Sequence, residues 1–191
     1  MAEFVQLHNH SDYSLLDGML RISENHKPSA FLQGLAAQGI KAMGLTDHGN
    51  MYGVKEFFKF AYDKSNLGED KQPLVKPIIG CEVYVTRHYD HRLKDNDHRK
   101  YYHLILLAKN YTGYKNLMKI VSTGHIEGMY YDKPRVSHEV LEKYHEGLIC
   151  SSACIAGEIP RGILAGDMDA VDKAIEWHKR VFGEDYYLEV M

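Results

Sequence analysis

The chain has 191 residues, enough for one large domain with a substantial buried core. Its 23 Lys and Arg against 26 Asp and Glu give a formal net charge of -3, which excludes the electrostatic footprint of a stand-alone nucleic-acid binder. The opening Met-Ala-Glu-Phe has no positive or apolar leader character and the longest apolar run, Leu104 to Ala108, is far too short to span a bilayer, so a cytoplasmic protein without membrane contact is expected.

In chain order, short apolar runs alternate with longer amphipathic segments. Strands are expected near Phe4 to Leu7, Ala42 to Thr46, Pro77 to Val85, His103 to Ala108, Gly147 to Cys150 and Tyr186 to Val190. Helices are expected over Ser29 to Gln38, Val54 to Lys64, Tyr111 to His125, Ser137 to Tyr144 and Asp169 to Phe182. In the first helix Phe31, Leu32, Leu35 and Ala36 fall on one face and Gly39 ends it, while Ser137, two before Glu139, is placed as an N-cap. Asn66 to Gln72 and Arg87 to Lys100 read as polar loops. Repeated βα units of this kind build a mostly parallel sheet or barrel, and with no repeat or linker the economical reading is one α/β unit over residues 1 to 191.

The chemistry-bearing residues fall at the ends of these runs. Histidine is over-represented, with 12 spread through the chain, and the three cysteines contain no CxxC pair, which suits a reducing compartment. His8 and His10 are two apart at a strand end and share a face, a half-built metal site that alone is as easily two polar residues. Thr46-Asp47-His48-Gly49 closes an apolar strand, so His48 points into the mouth of a barrel unless Asp47 merely caps a turn. Glu82 sits within an apolar strand, where an unpaired carboxylate is costly and a cation would compensate it; Cys81, on the opposite face, is assigned to the core. His103 opens another strand, as either a core residue or a ligand. Cys154 is a small buried hydrophobe or a thiolate that tilts the metal toward zinc. Asp17 and Asp12 are turn-formers by themselves, Asp12 being a supporting candidate beside the ligands, as is Asp47. Imidazole, carboxylate and thiolate from successive strand ends make a cluster for more than one divalent cation. Its natural chemistry is metal-assisted hydrolysis, in which one ion lowers the pKa of water and a second, about 3.5 to 4 Å away, stabilises the leaving oxygen of a phosphate ester.

The strings LHNHSDYSLLDG, TDHGNMYG, PIIGCEVYV, HLILLAKNYTGYKNL and GLICSSACIAGEIPRG, in order from residue 4 to about residue 190, resemble the PHP (polymerase and histidinol phosphatase) domain, and within it the PHP domains at the front of bacterial replicative DNA polymerases. The resemblance implies a distorted, TIM-like (βα)7 barrel that binds two to three divalent ions, zinc first and manganese or iron as alternatives. Carried over motif by motif, the ligands are His8, His10, Asp17, His48, Glu82, His103 and Cys154. It further implies metal-dependent phosphoester hydrolysis, with 3′ to 5′ proofreading in polymerase-linked members. DNA, the remaining polymerase domains and an exonuclease subunit are then the partners. A stand-alone small-molecule phosphatase and a non-catalytic scaffold are the rival readings, and the GYKNL and EIPRG segments favour the polymerase-linked one. The family's closing Asp-x-His motif has no counterpart before Met191, so the last strands and two ligands are expected to be missing. The other histidines are read as loop or helix-surface residues (His26, His88, His91, His98, His125, His138, His145 and His178). Lys109, Lys115, Lys119, Arg135 and Arg161 are read as scattered surface charge within reach of a nucleic-acid backbone.

Overall fold

The computed structural model describes residues 4–25, 27–28, 30–86 and 89–190. The expected roles of His26, His88, Ser29 and Arg87 therefore lie outside the described residues. In chain order the elements are β1 (Ser23–Glu24), β2 (Lys27–Pro28), α1 (Phe31–Ala37), β3 (Ala42–Leu45), α2 (Val54–Ala61), β4 (Lys76–Thr86), β5 (Tyr102–Ala108), α3 (Tyr111–Ile126), β6 (Met129–Tyr130), β7 (Lys133–Ser137), α4 (His138–Tyr144), β8 (Leu148–Ser151), α5 (Glu158–Leu164), α6 (Met168–Phe182) and β9 (Tyr186–Tyr187).

Strands β6, β7, β4, β5, β8 and β9 form a sheet in that order, with β3 also on β4. The expected α/β class holds, but among the described residues the sheet is mixed and does not close into a barrel. The eleven-residue β4 is its axis. Antiparallel β5 runs along one edge, pairing Glu82 with Ile105 and Tyr84 with His103. Parallel β3 and then parallel β7 follow one another along the other edge, at Lys76 to Ile79 and at Tyr84 to Thr86.

Strand alternation sorts this sheet into two faces. Cys81, Val83, Val85, Leu104 and Leu106 point to the helix side, where they meet Leu117 and Ile120 of α3 and Leu141 of α4 in one core. The opposite face carries Ile105 and Leu107 in a smaller cluster with Ala153, and beside it the polar Glu82 and His103. A second core packs α1 and α2 on β3 through Leu32, Phe57, Phe60, Met43 and Leu45. The apolar face expected of the first helix is the one buried there, and Gly39 ends that helix at φ +80°, a conformation that favours glycine.

Several expectations need correction. Phe4 to Leu7 is not a strand. An extended segment there lies beside β3 through N–H bonds from Gly44 to Gln6 O and from Thr46 to Asn9 O, both 2.9 Å. A Cβ at Gly44 would come within 2.4 Å of Leu7 O, so this approach requires glycine. Tyr186 to Val190 forms only a two-residue strand. Ser137 does stand at the N-cap of α4, but its hydroxyl makes no cap bond and lies 3.1 Å from His91 Nδ1. The hairpin of β1 and β2, strands β6 and β7, and α5 were not expected. KPRVS carries two cations and a proline, and EIPRGIL carries proline and glycine, so burial overrides local propensity in both.

Arg135 is the clearest reversal. Its side chain is completely buried, and its guanidinium donates to the carbonyls of Gly128, His91, Leu93 and His98. It stacks over Tyr130 at 4.5 Å. This cation pins the loop read as solvated, and it draws His91 into the interior with it. His178 is likewise buried against Tyr186 rather than on a helix surface.

Candidate metal centre

Glu82 is the hub. The alternation that sends Cys81 and Val83 into the helix-side core turns Glu82 to the other face, where it is fully buried. One carboxylate oxygen lies 3.0 Å from His8 Nε2, 2.7 Å from His10 Nε2 and 3.3 Å from His48 Nδ1; the other lies 2.8 Å from His103 Nδ1. Four imidazoles thus converge on one carboxyl group.

Three pieces of backbone deliver the four imidazoles. His8 and His10 lie on the extended segment, two apart and on one side, held because Asn9 between them bonds Thr46 Oγ1 through its N–H and Gly44 O through its side chain. His48 follows β3 and is placed by backbone bonds from Gly49 N to Glu82 O at 2.8 Å and from Glu82 N to Asp47 O at 3.1 Å. His103 stands at the beginning of β5. In an all-parallel sheet that position would be at the far end from the others; antiparallel pairing with β4 brings it opposite Tyr84 and onto Glu82.

Asp17 joins from the turn after the extended segment, with its carboxylate 2.7 Å from His10 Nδ1 and 3.0 Å from His48 Nε2. That turn is fastened by buried Asp47, whose carboxylate accepts from Ser11 N, Ser11 Oγ and Ser14 Oγ at 2.6 to 2.8 Å. Ser14 Oγ in turn accepts from His48 N at 3.0 Å. Asp47 therefore supports the cluster from behind. Asp12 is exposed, and its N–H donates to Leu20 O. Cys154 lies on the loop after β8, its sulfur 3.7 Å from His103 Nδ1 and 3.9 Å from Glu82. Ala153 before it takes φ +58°, and His103 N–H bonds Ala156 O, so the loop is tied to the histidine it approaches.

Sequence reasoning passed over Glu189. Its carboxylate lies 2.7 Å from His8 Nδ1 and accepts from Ser151 Oγ. The signal was available, since a carboxylate among Tyr186, Tyr187, Leu188 and Val190 is the pattern that singled out Glu82. Also missed was a cleft of about 540 Å³ beside the cluster, lined by Asp17, His48, His103 and by Tyr13, Tyr52, Tyr84, Tyr101, His125 and Lys133.

Among the described residues, three overlapping triads bring their ligand atoms within 4.8 Å of one another: His8, His10 and Glu82; His10, Asp17 and His48; His48, Glu82 and His103. Cys154 stands just outside them. Burial by itself would lower the His8 pKa, but the hydrogen bonds to Glu189 and Glu82 outweigh it and raise the group to about 9. The same competition leaves His10 raised, through Glu82. His48 is lowered, with burial dominant. Burial would raise Glu82, yet the surrounding imidazoles hold it far below the carboxylate range. Burial pushes the Cys154 thiol up. The donor set fits divalent cations. His48 Nδ1 is buried without a hydrogen-bond partner, although 3.3 Å from a Glu82 oxygen. Nitrogen, oxygen and sulfur donors together are those zinc accepts.

The model of the PHP domain matches residues 6–191. The chain is 46% identical over 190 residues to the DNA polymerase III subunit alpha of Borreliella burgdorferi, covering 99% of this chain and 15% of that protein. It is 43% identical to that of Treponema pallidum and 42% identical to that of Aquifex aeolicus, in each case covering 98% of this chain and 15% of the relative. The chain thus spans about 15% of the length of these relatives. No helix among the described residues is long and apolar enough to cross a membrane. On the extent of these matches the chain belongs to the PHP domain family, a fold of metal-dependent phosphoesterases.

Proposed function

We propose that this chain is a single PHP unit that hydrolyses phosphodiester bonds at the 3′ end of a DNA strand, as the proofreading module of a replicative polymerase whose other domains hold the DNA. The observation that carries this reading is the convergence of His8, His10, His48 and His103 on buried Glu82, with Asp17 and Cys154 beside them. A structural role alone would not retain so many ligand types around one carboxylate, because an apolar core of equal volume is no less stable.

The triads are the natural seats of two to three ions, zinc being the best match to a set that includes a thiol. Such ions neutralise phosphate charge and make a bound water acidic. The remaining work belongs to the chain. Glu82 faces more than one triad and can be shared between ions. Glu189, accepting at His8 Nδ1, fixes the ring so that Nε2 faces Glu82. Asp47 and Ser14 hold His48 and the Asp17 turn in place.

The test is hydrolysis by the zinc- or manganese-loaded chain of a primer with a mispaired 3′ end, compared with histidinol phosphate. Release of 3′ nucleotides, lost in Glu82→Ala together with bound metal, is expected. Preference for the monoester would overturn the DNA reading. A metal-loaded chain that cleaves neither substrate would overturn hydrolysis itself.

A further inference from the structure

We infer that the cleft beside the cluster is built to hold one unpaired nucleotide, its base stacked on Tyr52 and Tyr101 and its phosphate steered by Lys133. The inference rests on the functional reading above and names what that site admits. Asp17, His48 and His103 line one side of the cleft, so the candidate cation site opens directly into it. The rest of the lining includes four tyrosines, Tyr13, Tyr52, Tyr84 and Tyr101, and the exposed Leu15 and Leu16, together with polar groups such as Asn50 and Lys133. A ligand for this cavity therefore carries an anionic group at one end and a flat unsaturated ring at the other.

The tyrosines are not core residues that happen to be nearby. Tyr52 is 63% exposed and Tyr13 38%, and the two meet edge to face at 6.4 Å. Tyr52 N–H donates to Asn50 Oδ1 at 3.1 Å, and its exposed ring also lies 6.1 Å from the His125 ring. Tyr101, in the same lining, is half-buried and lies parallel to the His103 ring at 6.1 Å and edge to face with Tyr84 at 5.1 Å. Exposed rings flanking a catalytic cleft offer stacking surface to any base, since every base has a π-face.

Among the described residues lining the cleft, Lys133 is the only Lys or Arg. Its ammonium sits 5.3 Å from the Tyr84 ring centroid and 3.0 Å from Asp132, a carboxylate whose side chain is 79% exposed. An exposed pair of this kind is held weakly and gives way to a phosphate. At about 540 Å³ the cleft has the volume of an ordinary small-ligand pocket. That volume accommodates a single nucleotide at the end of a strand.

The test is equilibrium binding, so it does not depend on turnover. The metal-loaded chain is titrated with thymidine 5′-monophosphate and with deoxyribose 5-phosphate, which lacks the base. Stacking worth a typical base predicts that the nucleotide binds about 5- to 150-fold more tightly. Tyr52→Ala and Tyr101→Ala should each remove about tenfold or more of that advantage while leaving the sugar phosphate unchanged. Tyr52→Phe should retain it, and Lys133→Met should weaken both ligands alike. Equal affinity for the two probes, or an advantage untouched by both alanine variants, overturns the inference. Selective nucleotide binding by a chain that cleaves no ester would leave the cleft assignment standing while removing the proposed hydrolysis.

Discussion

The Nδ1 of His8 lies 2.7 Å from a carboxylate oxygen of Glu189, so one of the last described residues of the chain buttresses one of the first. Glu189 is itself held by Ser151 and by its backbone N–H on Ser152 Oγ. A carboxylate on the far nitrogen of a ligating histidine fixes the tautomer and ring orientation, and its loss costs roughly 10- to 100-fold in metal affinity. Glu189→Ala is expected to weaken metal binding by about that factor with the melting curve little changed, and Glu189→Gln, which retains an acceptor, by less. Competition against a chelator of known affinity measures this. Wild-type affinity in Glu189→Ala would show that His8 is oriented by its backbone alone.

Cys154 brings a sulfur to the margin of the cluster, 3.7 Å from His103 Nδ1. Thiolate favours zinc over harder ions, whereas a hydroxyl does not. Cys154→Ser should therefore lower zinc affinity about tenfold or more while changing manganese affinity little. Parallel titrations with the two metals decide this, and an equal loss for both would mean that the thiol only packs.

Arg135 holds four carbonyl oxygens from inside the fold. Arg135→Met keeps the apolar stem and leaves those carbonyls buried without donors, a loss of roughly 2 to 4 kcal/mol in stability. Chemical denaturation reads the total, and limited proteolysis between residues 89 and 98 should accelerate. An unchanged denaturation midpoint would mean that water replaces the guanidinium without penalty.

His178 supplies a pH dependence from outside the cluster. Burial lowers its pKa below 6.5, while the bond from Nδ1–H to Ala174 O and the nearby Glu158 partly oppose this and His138 adds to it. The unfolded chain takes up the proton first, so the contribution to stability is complete above 6.5 and is lost as pH falls through that value toward the folded pKa. His178→Phe retains the ring that stacks on Tyr186 at 4.6 Å and removes the titration. Melting temperatures should fall less in the variant than in the wild type between about pH 7.5 and about pH 5.5. Parallel pH profiles would show that another group carries the acid sensitivity.

Patterning along the chain was sufficient for the runs that became β3, β4, β5 and β8 and for five helices, because alternation and helical period report which side of an element meets a core. It also marked His8, His10, His48, Glu82 and His103, which the fold draws into one cluster with Asp17, a turn-former until the family resemblance singled it out, and with Cys154 at its margin. These stood out because a carboxylate or imidazole inside an apolar run is costly unless something compensates it. Glu189 carried the same signal within the expected strand Tyr186 to Val190, of which only Tyr186–Tyr187 forms, and nothing local showed that this segment returns to His8.

What the sequence by itself determined was therefore the inventory: which side chains are chemically out of place, and on which face of their own element they lie. Only the tertiary structure decided that β5 runs antiparallel, putting His103 on Glu82, that Arg135 is an internal brace rather than a surface cation, and that Tyr52, Tyr101 and Lys133 border one cleft. Local periodicity carries no information about strand direction or about which buried carbonyls a distant guanidinium will reach. Those follow from long-range packing and from the need to pair every polar group withdrawn from water.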